Sequence, residues 1–242
     1  MDEELQVRRR SMLARMIPWQ LLGSAQAPDG GTLTLHRRDQ ELVIRVDGRD
    51  LMTSRAHGSE EELARLGCSD ARARPRPRVL VGGLGMGFPL RAALDLLPAQ
   101  AEVVVAELVA AVVEWNRGPL AHLAGQPLDD PRVTIAVTDV GALLRQPGPR
   151  FDAILLDVDN GPQGLTRRAN HALYGSAGLD TARRALVPGG CYALWSAAPD
   201  RDFPRRLARA GFAVEVHDVR ARPRGQAARH VIFVGKTAAL LA

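Results

Sequence analysis

A six-residue run, Gly82-Gly83-Leu84-Gly85-Met86-Gly87, follows a short apolar stretch and precedes a helical pattern. Glycines placed there let the backbone turn tightly and bring a helix N-terminus close to a ligand. Three carboxylates fall at matching places downstream. Glu107 closes the second strand-like run, where an acid accepts both hydroxyls of a ribose. Asp139 closes the third run and Asp157 the fourth, with Asp159 just beyond. Ligands of open α/β sheets bind outside the carboxyl ends of the strands, so the loop and these acids share one edge. Each acid taken singly is also an ordinary turn or cap residue, and capping alone would explain Asp139 before its helix. Together they point to nucleoside binding by Gly82, Gly83, Leu84, Gly85, Glu107 and Asp139. The G-G-x-G-x-G spacing departs from the dinucleotide G-x-G-x-x-G, and the only lysine, Lys236, is far from the loop, which excludes a Walker motif.

The elements that must hold these residues alternate in type. Arg78–Val81, Val103–Val105, Val133–Val137, Ala153–Leu156 and Tyr192–Trp195 read as strands. Helical patterns follow them over 88–97, 109–124, 140–145, 177–186 and 202–210. Two strands without a helix between them, 212–219 and 230–234, end the series as an antiparallel hairpin. This predicts an α/β, Rossmann-like fold with a mostly parallel seven-stranded sheet and a terminal hairpin. Upstream, Thr32–Leu35 and Leu42–Val46 alternate around polar breaks and the Asp47-Gly48 turn, which predicts a small β meander. Ser59 with Glu62 reads as a capping box starting a helix to Leu66. Residues 2–16 are compatible with a short amphipathic helix. The Pro- and Arg-rich stretch 68–77 reads as a linker between an N-terminal part, 1–67, and a transferase-sized part, 78–242.

Composition narrows the class. With 46% hydrophobic and 24% charged residues in 242, the chain is an ordinary globular sequence. It carries no run near the roughly 20 apolar residues of a membrane span, and no leader pattern, so a soluble cytoplasmic protein is expected. Two cysteines make no disulfide framework, and the histidines show no ligand spacing, so no metal is expected. The net charge of +5 comes from arginines scattered among acids, which disfavours nucleic acid as the partner. His57 as a gating group, Trp195 as pocket lining, Tyr174 as a cover and 160–170 as a lid are each balanced by plain packing or loop roles.

An ordered series of motifs resembles the spermidine synthase family, the polyamine aminopropyltransferases, which share the class I methyltransferase fold. The matching stretches are Val46-Asp47-Gly48, Val79 to Gly87, Val104 to Glu107 and Val112-Val113-Glu114. They continue with Leu128 to Val133, Thr138-Asp139-Val140, Phe151 to Asp157 and Leu186 to Gly190, so that residues 20–235 are covered. The resemblance implies S-adenosylmethionine (SAM) or decarboxylated SAM as cofactor. It implies Glu107 on the ribose and Asp139 on the adenine amino group. Asp157 would be the catalytic acid beside the attacking amine, with Asp159 next in line. It also implies an amine acceptor, either a small molecule or a protein side chain, and leaves a homodimer open.

Three positions depart from the family pattern. Leu84 stands where the family's loop carries an Asp, and Asp157-Val158-Asp159-Asn160-Gly161 replaces Asp-Ser-x-Asp-Pro. Glu61-Glu62 lies roughly where Tyr-His-Glu belongs. The Gly-Leu-Gly and Asp-Val-Asp stretches are similar to a branch of spermidine-synthase-like methyltransferases. Without the loop Asp, SAM is expected to bind at least as well as its decarboxylated form. Aminopropyl and methyl transfer are both open, and the alternative is a nucleoside-binding or partner-binding homologue without turnover.

Overall fold

The computed structural model describes residues 17–28, 30–158, 173–221 and 229–239. The expected helix at 2–16, Asp159 and the lid segment 160–170 lie outside the described residues. The chain divides into two compact units at Ala56–His57.

The first unit is an antiparallel sheet of β1 (Gln20–Gln26), β2 (Thr32–Arg38), β3 (Glu41–Val46) and β4 (Arg49–Thr53), in that order. The meander is thus four strands, two more than the clearest alternating runs. Leu33, Leu35, Leu42 and Ile44 are buried, as period-two alternation requires of one face. Asp47 and Gly48, both at positive φ, make the β3–β4 turn. Arg38 and Arg45 cover the Trp19 ring at 4.4 and 4.9 Å.

The second unit opens with α1 (Gly58–Gly67), followed by β5 (Arg78–Gly82), α2 (Phe88–Leu96), β6 (Glu102–Glu107) and α3 (Ala110–Arg117). It continues with β7 (Val133–Val137), α4 (Val140–Arg145), β8 (Phe151–Leu156), α5 (Ser176–Ala185) and β9 (Leu186–Ser196). The last elements are α6 (Phe203–Arg209), β10 (Ala213–Arg220) and β11 (Arg229–Lys236). The seven strands lie in the order β10-β11-β9-β8-β5-β6-β7. β9, β8, β5, β6 and β7 are parallel, and the β10–β11 hairpin closes the β9 edge antiparallel. The strand order reverses between β5 and β8, the place where such sheets open a ligand crevice.

Burial explains the sheet. Every residue of β8 is buried, as expected of a central strand covered on both faces. One face carries Leu80, Ile154, Leu156, Leu194 and Phe233 against Leu179, Phe203 and Leu207 of the helices. At about 25 cal/mol per Å² of apolar surface, these side chains dominate the fold's stabilisation.

Four local expectations differ from the structure. The helix expected over 109–124 ends at Arg117, because Gly118 and Pro119 break the pattern. Ser59 is not an N-cap: α1 starts two residues earlier, with His57 at the N-cap, and Ser59 turns inward to a 2.8 Å hydrogen bond with His230 Nδ1. The stretch 68–77 is packed into the second unit. Cys68 and Ala71 are buried, and Arg74 pairs with Asp152 at 2.9 Å and donates to the Pro188 carbonyl. Helix α1 also lies in the second unit, where it packs on α2, β8 and β9. A glycine ends it at the sheet because a Cβ on Gly67 would overlap the Leu155 side chain.

Candidate active site

The glycine loop is held in three ways. Gly83, Gly85 and Gly87 all have positive φ, a conformation open to glycine and costly for other residues. A Cβ on Gly83 would overlap the Asp157 carbonyl oxygen, so the loop and the end of β8 approach as closely as backbones can. Asn116 is the third restraint: buried on α3, it donates from Nδ2 to the carbonyls of Gly85, at 2.8 Å, and Val112. Asn116 drew no notice in the sequence, where it stands as one polar residue in an amphipathic helix. The available signal was its 3.6-residue register with the buried face of α3, at Val112 and Val113.

Glu107 closes β6 and is 8% exposed. Its Oε2 accepts the Leu84 N–H at 2.9 Å and its Oε1 accepts the Val109 N–H at 2.8 Å. Burial raises its pKa, and the backbone donors oppose that rise. The N–H groups of Leu108 and Gly85 also act on this carboxylate, so it is surrounded by backbone donors of the loop and of the residues after β6. Leu84 thereby contributes its N–H to the glutamate while its side chain is 1% exposed.

Asp139 caps α4, its Oδ1 accepting the Ala142 N–H at 2.7 Å. The capping role weighed for it is present, and it is confined to that one oxygen among the described hydrogen bonds. Asp157 sits just past β8 with its N–H on the Gly82 carbonyl at 2.8 Å, joining the fourth strand end to the loop. The next residue is fixed too, since the buried Tyr174 hydroxyl donates to the Val158 carbonyl at 3.0 Å. Tyr174 is thus a packed anchor under the strand end. Asp157 is partly buried, and its burial raises its pKa.

Beside this edge, the N-terminus of α1 carries an aromatic and acidic cluster. His57 stacks on Phe88 with 4.1 Å between centroids and hydrogen-bonds Glu61 at 2.7 Å. Trp195, at the end of β9, meets His230 edge-on at 4.6 Å. Its indole N–H is buried without a partner among the described residues. Glu60 is 8% exposed, and burial first, then the Asp157 charge, raise its pKa to about 9.

The geometry thus brings Gly82, Gly83, Leu84, Gly85, Glu107 and Asp157 together at the carboxyl edge of β5, β6 and β8, with Asp139 at the neighbouring strand end. A nucleoside fits what is present: glycines at positive φ in the loop, a buried acid at the end of β6, and a second acid one strand away. Among the described residues, no group of three or more His, Cys, Asp or Glu could hold a metal. No described helix is long and apolar enough to cross a membrane.

Residues 57–200 match the spermine/spermidine synthase domain, from the start of the second compact unit to beyond β9. The chain belongs to the spermine/spermidine synthase family. A polyamine aminopropyltransferase of Mycobacterium tuberculosis is 31% identical over 171 residues, covering 69% of this chain and 31% of that protein. A spermidine synthase of Dictyostelium discoideum is 33% identical over 132 residues, covering 51% of this chain and 43% of its own. The chain therefore spans less than half the length of these two relatives. In fold it is similar to the spermidine synthase of Thermotoga maritima, with a TM-score of 0.71 at 20% identity, covering 90% of this chain and 73% of the other. A spermidine synthase solved with the transition-state analogue AdoDATO gives a TM-score of 0.70 at 19% identity, with the same coverages.

Proposed function

We propose that the chain is an alkyltransferase that takes decarboxylated SAM as donor and moves its aminopropyl group to a primary amine. The observation that carries this is the direct backbone junction of the glycine loop with Asp157. A nucleoside held by Glu107 and the loop would set its reactive carbon beside Asp157 at the end of β8. Membership of the spermine/spermidine synthase family and the relatives' names support the same chemistry.

The donor supplies a carbon made electrophilic by a sulfonium, so the protein's work is mostly positioning. Glu107 and the loop orient the nucleoside, and Asp139 is proposed to hold the adenine amino group. The acceptor must attack as a free amine. As its nitrogen bonds the carbon, the carbon–sulfur electron pair stays on sulfur as a neutral thioether, and the amine proton passes to the Asp157 carboxylate. Burial lifts the Asp157 carboxyl above the usual aspartate range, which makes it a stronger base for that proton. Asp159 is proposed as a second acid beside the acceptor.

Methyl transfer from SAM is a second reading, favoured by Leu84, which leaves no loop carboxylate to repel the carboxylate of SAM. Side-by-side titrations of both donors, followed by incubation with 1,4-diaminobutane or spermidine and mass analysis, separate the two. Tighter binding of decarboxylated SAM with release of methylthioadenosine supports aminopropyl transfer. Preference for SAM with a methylated product supports the second reading. Folded protein that binds neither donor nor methylthioadenosine rejects both.

A further inference from the structure

The helix that Asp139 caps carries a cation whose placement needs a cause. Arg145 is the last residue of α4, where a side chain extended into solvent would complement the negative end of the helix dipole. Its guanidinium instead folds back along the helix, with Nη2 4.0 Å from Asp139 Oδ1. Gly141 opens the space for this, since a Cβ there would lie 3.1 Å from Asp139 Oδ1 and 3.4 Å from Arg145 Nη1. At 4.0 Å the two groups are an ion pair too long for a hydrogen bond, so the contact uses none of the guanidinium N–H groups. The side chains of Arg145 and Asp139 are 65% and 41% exposed, and an ion pair so placed contributes little to stability. Stability therefore does not account for the arrangement.

The pair belongs to the edge that carries the glycine loop. Val140, the first residue of α4, lies against the loop's start, where a Cβ on Gly82 would meet its Cγ2 at 2.9 Å. On the other side of Asp139, the Thr138 N–H donates to the Glu107 carbonyl at 2.9 Å. We propose that Arg145 is a second base-reading residue, which donates a hydrogen bond to a ring nitrogen of adenine while Asp139 accepts from the amino group. Adenine presents an amino donor flanked by ring acceptors, N7 on one side and N1 on the other. A carboxylate beside a guanidinium presents the complementary order, an acceptor next to a donor. A purine with a carbonyl in place of the amino group would set oxygen against the Asp139 carboxylate and be rejected. The proposal rests on the nucleoside site of the alkyltransferase reading above, and it names the residue that would fix which base that site takes.

Calorimetry on the whole chain tests it with Arg145→Ala, an exposed substitution that leaves the core untouched. The probes are methylthioadenosine and its 7-deaza and 1-deaza analogues, each of which replaces one ring nitrogen by C–H. Arg145→Ala should weaken methylthioadenosine by roughly 5–30-fold, the scale of one charge-assisted hydrogen bond at a partly exposed site. One deaza analogue should bind the wild type more weakly by a similar factor and be indifferent to Arg145→Ala, which identifies the nitrogen. The other analogue should lose affinity in the variant as methylthioadenosine does. Equal losses for all three ligands would mean that Arg145 acts only through the charge of Asp139, and would overturn the proposal. Unchanged affinity of the variant for methylthioadenosine overturns it as well, and leaves the nucleoside reading standing. Folded wild type that binds no methylthioadenosine rejects the nucleoside reading, and the role of Arg145 with it.

Discussion

Two buried glutamates of the second unit, Glu107 and Glu60, sit in opposite kinds of surroundings. Around Glu107 the polar groups are already satisfied: both carboxylate oxygens accept backbone N–H groups, and Asn116 ties the loop to α3. Around Glu60 they are not, since a buried carboxylate oxygen and the Trp195 indole N–H lack partners among the described residues. The first is preorganised by its own backbone. The second holds a buried carboxylate oxygen that the fold leaves without a donor among the described residues.

The largest expected effect separates turnover from binding. Asp157→Asn should lower the single-turnover rate by about 10²–10⁴-fold, the usual scale for loss of a positioned acid or base. Methylthioadenosine affinity, measured by calorimetry, should stay nearly constant. An unchanged rate would move the catalytic role away from Asp157, with Asp159 the next residue to test.

Glu107→Ala tests the preorganised glutamate. It should weaken methylthioadenosine binding by roughly 1.5–3 kcal/mol, the scale of hydrogen bonds to a charged group. Diamine affinity measured separately should change little, and equal losses in both would show that both ligands depend on Glu107.

The unsatisfied glutamate should be visible in stability against pH. The folded-state pKa values of Glu60 and Asp157 are both raised, so the fold binds their protons more tightly than the unfolded chain does. Their contribution is fully present below the unfolded values, about 4–4.5, and is lost as pH rises through the higher folded values. Urea unfolding without ligand should therefore show stability falling between about pH 5 and 8. Glu60→Gln should flatten that slope and gain about 1 kcal/mol or more at the alkaline end. A variant no more stable than wild type at pH 8 would show that the Glu60 carboxylate costs the empty fold nothing.

The smallest effect concerns Asp139. Asparagine caps helices about as well as aspartate, so Asp139→Asn should shift the melting temperature little. A several-fold loss of methylthioadenosine affinity would then report contact with the adenine amino group, separate from capping. No loss would leave Asp139 as a cap alone.

Most of the sheet was legible in the sequence because its evidence is local. Val79–Val81, Val103–Val105 and Ala153–Leu156 are continuous apolar runs bounded by turns, which is how strands buried on both faces read. The loop glycines and the acids at the strand ends were legible for a similar reason, since positive φ and strand termini mark the chain itself. Ser59 misled because a capping box is a local pattern, whereas its hydroxyl is claimed by His230, far along the chain. The Arg-rich stretch 68–77 read as solvated because Asp152, the partner of Arg74, is visible only after folding.

By itself the sequence determined the order of strands and helices, the carboxyl-edge positions of Glu107, Asp139 and Asp157, and the substitution of Leu84 in the loop. The tertiary structure alone decided which acids are buried, which oxygens are already taken, and that the Glu60 carboxylate of α1 is buried without a partner on Oε2 among the described residues. Burial and charge coupling depend on neighbours that the chain brings together from distant positions, and no spacing along the sequence encodes them.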